Sequence, residues 1–311
     1  MGGLREHGSG REIRLFDRFT VGRSQSCDLV LAARDVSGQH AELRWTGARW
    51  EVHDLGSRNG TYVDDARLDP GTRVGVTPGA CLRFGRESPA WTLVDAAGPQ
   101  PMARNLATDA WCVADGGYLA VPDAHSPELC VFQDSRGAWV MERDGTASAV
   151  EDRAAVATQA GGTWRLYLPS SLPGTWSDDG APVHVADLRL RFAFTRDEEH
   201  VELRAQHGDR CIDLQARAHH YPLLLLARRR LADREAGAAE AEQGWLRHQE
   251  LAAMLRIDAK HLNITIHRAR SQLGKLGVAD AAALVERRAG MGQLRLGCGR
   301  IELVALEARP A

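Results

Sequence analysis

Three short segments hold residue types suited to polar recognition. They are Gly22-Arg23-Ser24, Val36-Ser37-Gly38-Gln39-His40-Ala41 and Asp54-Leu55-Gly56-Ser57-Arg58-Asn59-Gly60-Thr61. Thirteen residues separate Arg23 from Ser37, and eighteen separate His40 from Asn59. An arginine offers a rigid, permanently charged fork of N–H donors that fits carboxylate or phosphate oxygens. A serine hydroxyl both donates and accepts, and an asparagine amide presents a carbonyl oxygen beside an NH2 group. Taken alone, Asn59-Gly60 also has the form of a hairpin turn. The chain carries no P-loop, no H-E-x-x-H, no G-x-S-x-G elbow and no kinase H-R-D or D-F-G pair, so no enzymatic activity is expected. The six cysteines, Cys27, Cys81, Cys112, Cys130, Cys211 and Cys298, form no C-x-x-C, and none stands at zinc spacing from a histidine. No metal and no cofactor are expected.

The elements around these segments are short. Phe19–Val21, Leu29–Leu31, Ala41–Trp45, Trp50–Val52, Thr61–Val63, Arg73–Val76 and Cys81–Phe84 read as strands separated by Gly, Asp, Ser and Pro, the pattern of a β-sandwich or barrel. Loops at one end of such a scaffold are where the three segments can converge.

Taken together, in this order and between strands, the motifs resemble the forkhead-associated (FHA) family over residues 11–95. The resemblance implies a β-sandwich that binds a phosphothreonine peptide. It implies that Arg23 and Ser37 contact the phosphate, that Arg58 lines the phosphate pocket, and that Asn59 holds the peptide backbone. His40 would buttress the loop carrying Ser37, while Gly22 and Gly60 would relieve tight turns. Gly38 departs from the family, where a polar side chain often adds a contact. Here that contact is either absent or made by a backbone N–H.

With 311 residues the chain is too long for one ordinary domain. Its 44% hydrophobic and 26% charged composition is that of globular, not disordered, protein. Residues 110–205 form a second β-rich module. In it Glu128-Leu129 precedes Trp139 as Glu42-Leu43 precedes Trp50, which leaves a degenerate second FHA copy and an unrelated β module both open. Over 211–306 three helices, Leu223–Leu231, Arg247–Arg256 and Ala259–Leu276, precede strands at Val285–Arg288, Gln293–Leu296 and Ile301–Leu306. That order resembles the winged-helix output domains of OmpR-type regulators. Leu262, Ile266, Ala269, Leu273 and Leu276 form one apolar stripe behind the N-cap Asp258. The opposite face carries Lys260, Ile264, His267, Ser271 and Lys275, flanked by Arg268 and Arg270, with Arg287 and Arg288 opening the wing. Lys260, His267, Arg268, Lys275, Arg287 and Arg288 are the candidate double-stranded DNA contacts.

Charge is uneven along the chain. Residues 101–227 are net -7 and residues 256–311 net +5, which points to domains with different partners. The longest apolar run, Leu223 to Ala227, falls far short of the roughly 20 residues that span a bilayer. No apolar leader follows Met1, so no membrane partner and a cytoplasmic protein are expected. The expected architecture is thus a multidomain β plus α/β chain: FHA sandwich, β-rich middle, winged helix. Its expected role is phosphothreonine-dependent signalling downstream of a bacterial Ser/Thr kinase, with the winged helix binding either DNA or, in a scaffold, protein.

Overall fold

The computed structural model describes all residues except 70, 135, 144–145, 160, 171–182, 289–290 and 307–311. The chain divides into two compact units. The first comprises Met1–Gln100 with Tyr167–Pro173, the second Pro101–Leu166 with Gly174–Ala311.

Eleven strands build the first unit: β1 (Gly3–Glu6), β2 (Glu12–Arg14), β3 (Arg18–Gly22), β4 (Leu29–Val30), β5 (Ala41–Trp45), β6 (Trp50–Asp54), β7 (Thr61–Val63), β8 (Ala66–Arg67), β9 (Arg73–Val76), β10 (Cys81–Phe84) and β11 (Ala90–Asp95). One sheet runs β2-β1-β11-β10-β7-β8 and the other β4-β3-β5-β6-β9. Alternation along the strands puts Leu4, Phe19, Leu43, Trp50, Leu82, Trp91 and Leu93 into the core. The sandwich starts earlier than residue 11. Leu4 in β1 is fully buried and pairs opposite Leu93. A four-residue strand with one apolar side chain gives little periodic signal.

In the second unit, residues 102–167 supply β12 (Met102–Asn105), β13 (Trp111–Val113), β14 (Leu119–Val121), β15 (Leu129–Gln133), β16 (Trp139–Arg143), β17 (Thr146–Ala149), β18 (Ala155–Thr158) and β19 (Gly162–Tyr167). Their sheets run β13-β12-β19-β18 and β14-β15-β16-β17. This is the order β2-β1-β11-β10 and β3-β5-β6-β9 of the first unit. Register repeats too. Gly3 pairs with Arg14 as Met102 pairs with Val113, and Leu82 pairs with Trp91 as Val156 pairs with Trp164. Trp50 and Trp139 open β6 and β16, each the strand next to last in the order of its sheet.

The remainder of this unit comprises β20 (Arg189–Phe194), β21 (Val201–His207), β22 (Arg210–Ala216), α1 (His220–Glu235), β23 (Leu246–Arg247), α2 (His248–Leu255), α3 (Ala259–Lys275), β24 (Val285–Arg288), β25 (Gln293–Leu296) and β26 (Arg300–Ala305). β22-β21-β20-β26 form one sheet, in which β26 lies parallel to β20, and β23-β25-β24 form another. The strands at 189–207, expected in the middle module, therefore pair with elements on either side of the helices. Asp258 caps α3 by accepting the His261 N–H at 2.6 Å. Leu262, Ile266, Ala269 and Leu273 are no more than 2% exposed, which makes this stripe the inner face of the helix.

Candidate functional site

The three motif segments are the loops after β3, before β5 and between β6 and β7, and backbone bonds tie them together. The Arg23 N–H donates to the Ser37 carbonyl at 2.8 Å, and the Ser24 N–H to the Gly38 carbonyl at 2.9 Å. The Arg58 N–H donates to the Ser37 hydroxyl at 3.1 Å, and the Asn59 amide NH2 to the Asp35 carbonyl at 2.7 Å. His40, fully buried, joins the last two loops. Its Nδ1 accepts the Ser37 N–H at 3.0 Å and its Nε2 lies 3.2 Å from the Gly60 carbonyl, which fixes the neutral Nε2–H tautomer. Burial lowers the His40 pKa and favours that neutral form.

Glycine is required at two of these positions for different reasons. At Gly22 a Cβ would lie 2.2 Å from the Gly38 carbonyl oxygen, so the need is close approach of two loops. Gly60 adopts φ +83°, where only glycine is unstrained.

Asp54, at the end of β6, holds the third loop. Its carboxylate accepts the Gly56 and Ser57 N–H groups at 2.9 and 2.8 Å, the Ser57 hydroxyl at 2.6 Å and the Thr61 hydroxyl at 2.7 Å. Burial pushes the Asp54 carboxyl up, but these hydrogen bonds outweigh it and hold its pKa below the usual carboxylate range. Its contribution is therefore fully present above the ordinary carboxylate pKa and is lost as pH falls through the depressed folded value. Sequence reading assigned no role to Asp54, Ser57 or Thr61, although an acidic residue three before a serine is the signature of a side-chain-capped turn. Asp54→Ala is expected to destabilise the first unit by about 1–3 kcal/mol, because four donors lose a buried acceptor. Urea unfolding checks it, and a wild-type midpoint in the variant would refute it.

The residues expected to contact a phosphopeptide are the ones left uncommitted. Arg23, Gly38 and Arg58 are exposed, and neither arginine side chain has a hydrogen-bond or ion-pair partner among the described residues. Ser37 and Asn59 are half-buried beside them.

The C-terminal candidates lie differently. Lys260 and Arg268 are exposed. Lys275 pairs with Asp115 at 2.7 Å. Arg288 stacks on Trp245, 4.4 Å from the ring centroid, and pairs with Glu242. His267 and Arg287, expected on an outer face, are buried. His267 is 6% exposed, with Nδ1 3.8 Å from the Cys130 sulfur, and burial lowers its pKa to about 4. Arg287 donates to Glu142 at 2.7 Å, and Arg270 donates to the other oxygen of the same carboxylate at 3.1 Å. Helical spacing defines two opposed faces of α3 but not what packs against the second, and here strands β14–β16 do. Glu142 and Tyr118 had no sequence signal, and Arg270, expected to flank an outer basic face, is buried instead. Among the described residues no group of acidic, histidine or cysteine side chains has the arrangement of a metal site.

The first unit is a β-sandwich whose three motif loops are tied together by hydrogen bonds and carry two exposed arginines, Arg23 and Arg58. Residues 19–85 match the FHA domain family, and the chain carries an FHA domain there. FhaB of Mycobacterium tuberculosis is 41% identical over 66 residues, 21% of this chain and 41% of FhaB. The chain thus spans about two fifths of that relative. Among solved structures, Mycobacterium tuberculosis EmbR in complex with a low-affinity phosphopeptide is 30% identical over 31% of this chain and 25% of that one, with TM-score 0.29. A structure from work on phosphothreonine-dependent FHA interactions is 30% identical over 30% of this chain and 95% of its own, with TM-score 0.27. No helix among the described residues is long and apolar enough to cross a membrane.

Proposed function

We propose that this chain is a non-enzymatic, cytoplasmic adaptor that reads phosphothreonine on a partner of a Ser/Thr kinase pathway and carries a winged-helix output domain that binds double-stranded DNA. The observation that carries the first half is the braced three-loop apex with the uncommitted guanidinium groups of Arg23 and Arg58. A phosphothreonine brings about -1.5 to -2 charges and three acceptor oxygens to that apex. Ser37 adds a hydroxyl, and Asn59 keeps its carbonyl oxygen free for peptide backbone once its NH2 is held by Asp35. The loop at Gly38 is open, with nothing within 4 Å of its Cβ position. The match of residues 19–85 to the FHA domain family agrees with this reading.

For the second half, support comes from the order α1, β23, α2, α3, β24, β25 with sheet order β23-β25-β24, the arrangement of a winged helix. The exposed Lys260 and Arg268 give α3 a cationic rim. The scaffold reading, in which the winged helix docks protein, draws support from the burial of His267 and Arg287 against β-strands.

Matched phosphothreonine and phosphoserine peptides test the recognition half. A pocket that takes the threonine methyl is worth about 1–3 kcal/mol, so the phosphothreonine peptide is expected to bind at least about tenfold tighter by calorimetry. Equal affinities would mean no such pocket forms.

A further inference from the structure

The two faces of α3 are covered in different ways. On the inner face lie Leu262, Ile266, Ala269 and Leu273, an apolar stripe of the kind that stays packed. On the outer face polar and charged groups meet β14–β16 and their flanking loops. Arg270 donates to Glu142 and stacks over Phe132 at 5.1 Å. Arg287 shares Glu142, His267 meets Cys130 and the edge of Tyr118, and Ser271 donates to the Asp115 carbonyl at 3.2 Å. Interfaces that open and close are richer in such groups than permanent cores are.

The fit on this side is also incomplete. One buried carboxylate faces two buried guanidiniums and leaves an excess of positive charge. The Nε–H groups of Arg270 and Arg287 and the Tyr118 hydroxyl have no partner among the described residues. A cleft of about 650 Å³ remains between strands and helices, lined by Glu128, Arg143, His248, Lys260, Asn263 and Arg270 among others. Donors left over around a single carboxylate suit a ligand richer in anionic oxygen. The covering segment belongs to the stretch of net -7 and the helix and hairpin to the stretch of net +5, so the cover and the face are complementary in charge.

We propose that the sandwich of β12–β19 is a releasable cap on the α3 and β24 arginine face, with the Glu142 carboxylate standing where a DNA phosphodiester would sit between Arg270 and Arg287. This rests on the DNA-binding reading above and adds its regulation: duplex DNA and the cap compete for one surface. Because both bind the same arginines, DNA that engages the face must lift the cap, and a lifted cap must raise DNA affinity by the same factor.

The backbone supplies a clean way to lift it. Gly274 in α3 meets Gly116, and a Cβ on Gly274 would lie 1.9 Å from the Gly116 carbonyl oxygen. Gly274→Ala favours the helix itself while denying the cap its seat. Cys130 reports on opening. Half-buried against His267 at the edge of the cleft, its thiol is pushed up to about 12 by desolvation, so it alkylates slowly while the cap is seated. In the full-length chain, Gly274→Ala is expected to speed iodoacetamide labelling of Cys130, read by peptide mass spectrometry, by about tenfold or more. It is expected to tighten binding of random-sequence duplex DNA, read by fluorescence polarisation, by a similar factor of about ten, with affinity falling steeply as salt rises. In the wild type, saturating duplex is expected to speed Cys130 labelling. This arm decides the matter if circular dichroism shows that the variant is unfolded. If Cys130 opens in the variant without a gain in DNA affinity, the DNA-binding reading fails and the proposal with it. If wild type binds duplex as tightly as the variant while Cys130 stays protected, the cap is overturned and the DNA-binding reading survives.

Discussion

Arg23→Ala is expected to weaken binding of a phosphothreonine peptide by more than about tenfold, the loss of about 1.5–3 kcal/mol that follows removal of a charged hydrogen-bonding group. The loop itself has little reason to move. Arg23 holds its place through its backbone, whose N–H donates to the Ser37 carbonyl, and that bond survives in alanine. Its side chain is exposed and touches no acceptor, so unfolding of the first unit should be unchanged. Arg23→Lys separates charge from geometry. It keeps the cation but loses the planar fork, and is expected to bind between wild type and Arg23→Ala. Calorimetry with one peptide against all three proteins decides the point. Equal binding by wild type and Arg23→Ala would remove Arg23 from the site.

A second large effect is expected from Trp91→Ala, at about 3–5 kcal/mol of stability. Trp91 is fully buried in β11, next to Leu82 across the sheet, and the cavity left behind is lined by strands pinned on both sides. A domain is stable by only about 5–15 kcal/mol, so this is a large share of what holds the sandwich together. Urea unfolding of the full chain, followed by retention of phosphopeptide binding, measures it. A midpoint within error of wild type would mean that the two sheets do not depend on Trp91 for their packing.

The candidate recognition residues were legible because their chemistry is carried by residue type: an arginine, a serine and an Asn-Gly, each between strands. The groups that hold them were not. Asp54 and Asp35 act through turns and through bonds to other loops, and their partners lie 2 to 52 residues away in sequence. The strands of the first sandwich were readable by alternation, except β1, where Leu4 alone marks the core. The second sandwich repeats the strand order of the first in its pairing more than in its residues. Trp91-x-Leu93 recurs as Trp164-x-Leu166, but Pro122 follows β14 where Arg23 follows β3, and β17 is the next strand after β16 where the first sandwich places the Arg58-Asn59-Gly60 loop, β7 and β8 between β6 and its partner β9. The inner face of α3 was legible from its spacing. The fate of the outer face was not, because it depends on Glu142, 128 residues before Arg270.

The parallel pairing of β26 with β20 has a consequence for the order in which the molecule is made. Arg189 pairs with Arg300, so the ribosome must deliver three helices and the β24–β25 hairpin before the sheet that began at β20 can be finished. During that interval β20, with Leu190 and Phe192 on its inner face, presents one open edge of N–H and C=O groups. Nascent chains stalled between β25 and β26 are the ones that should recruit holding chaperones or pair with one another, and synthesis speed over this short stretch sets how long they do so.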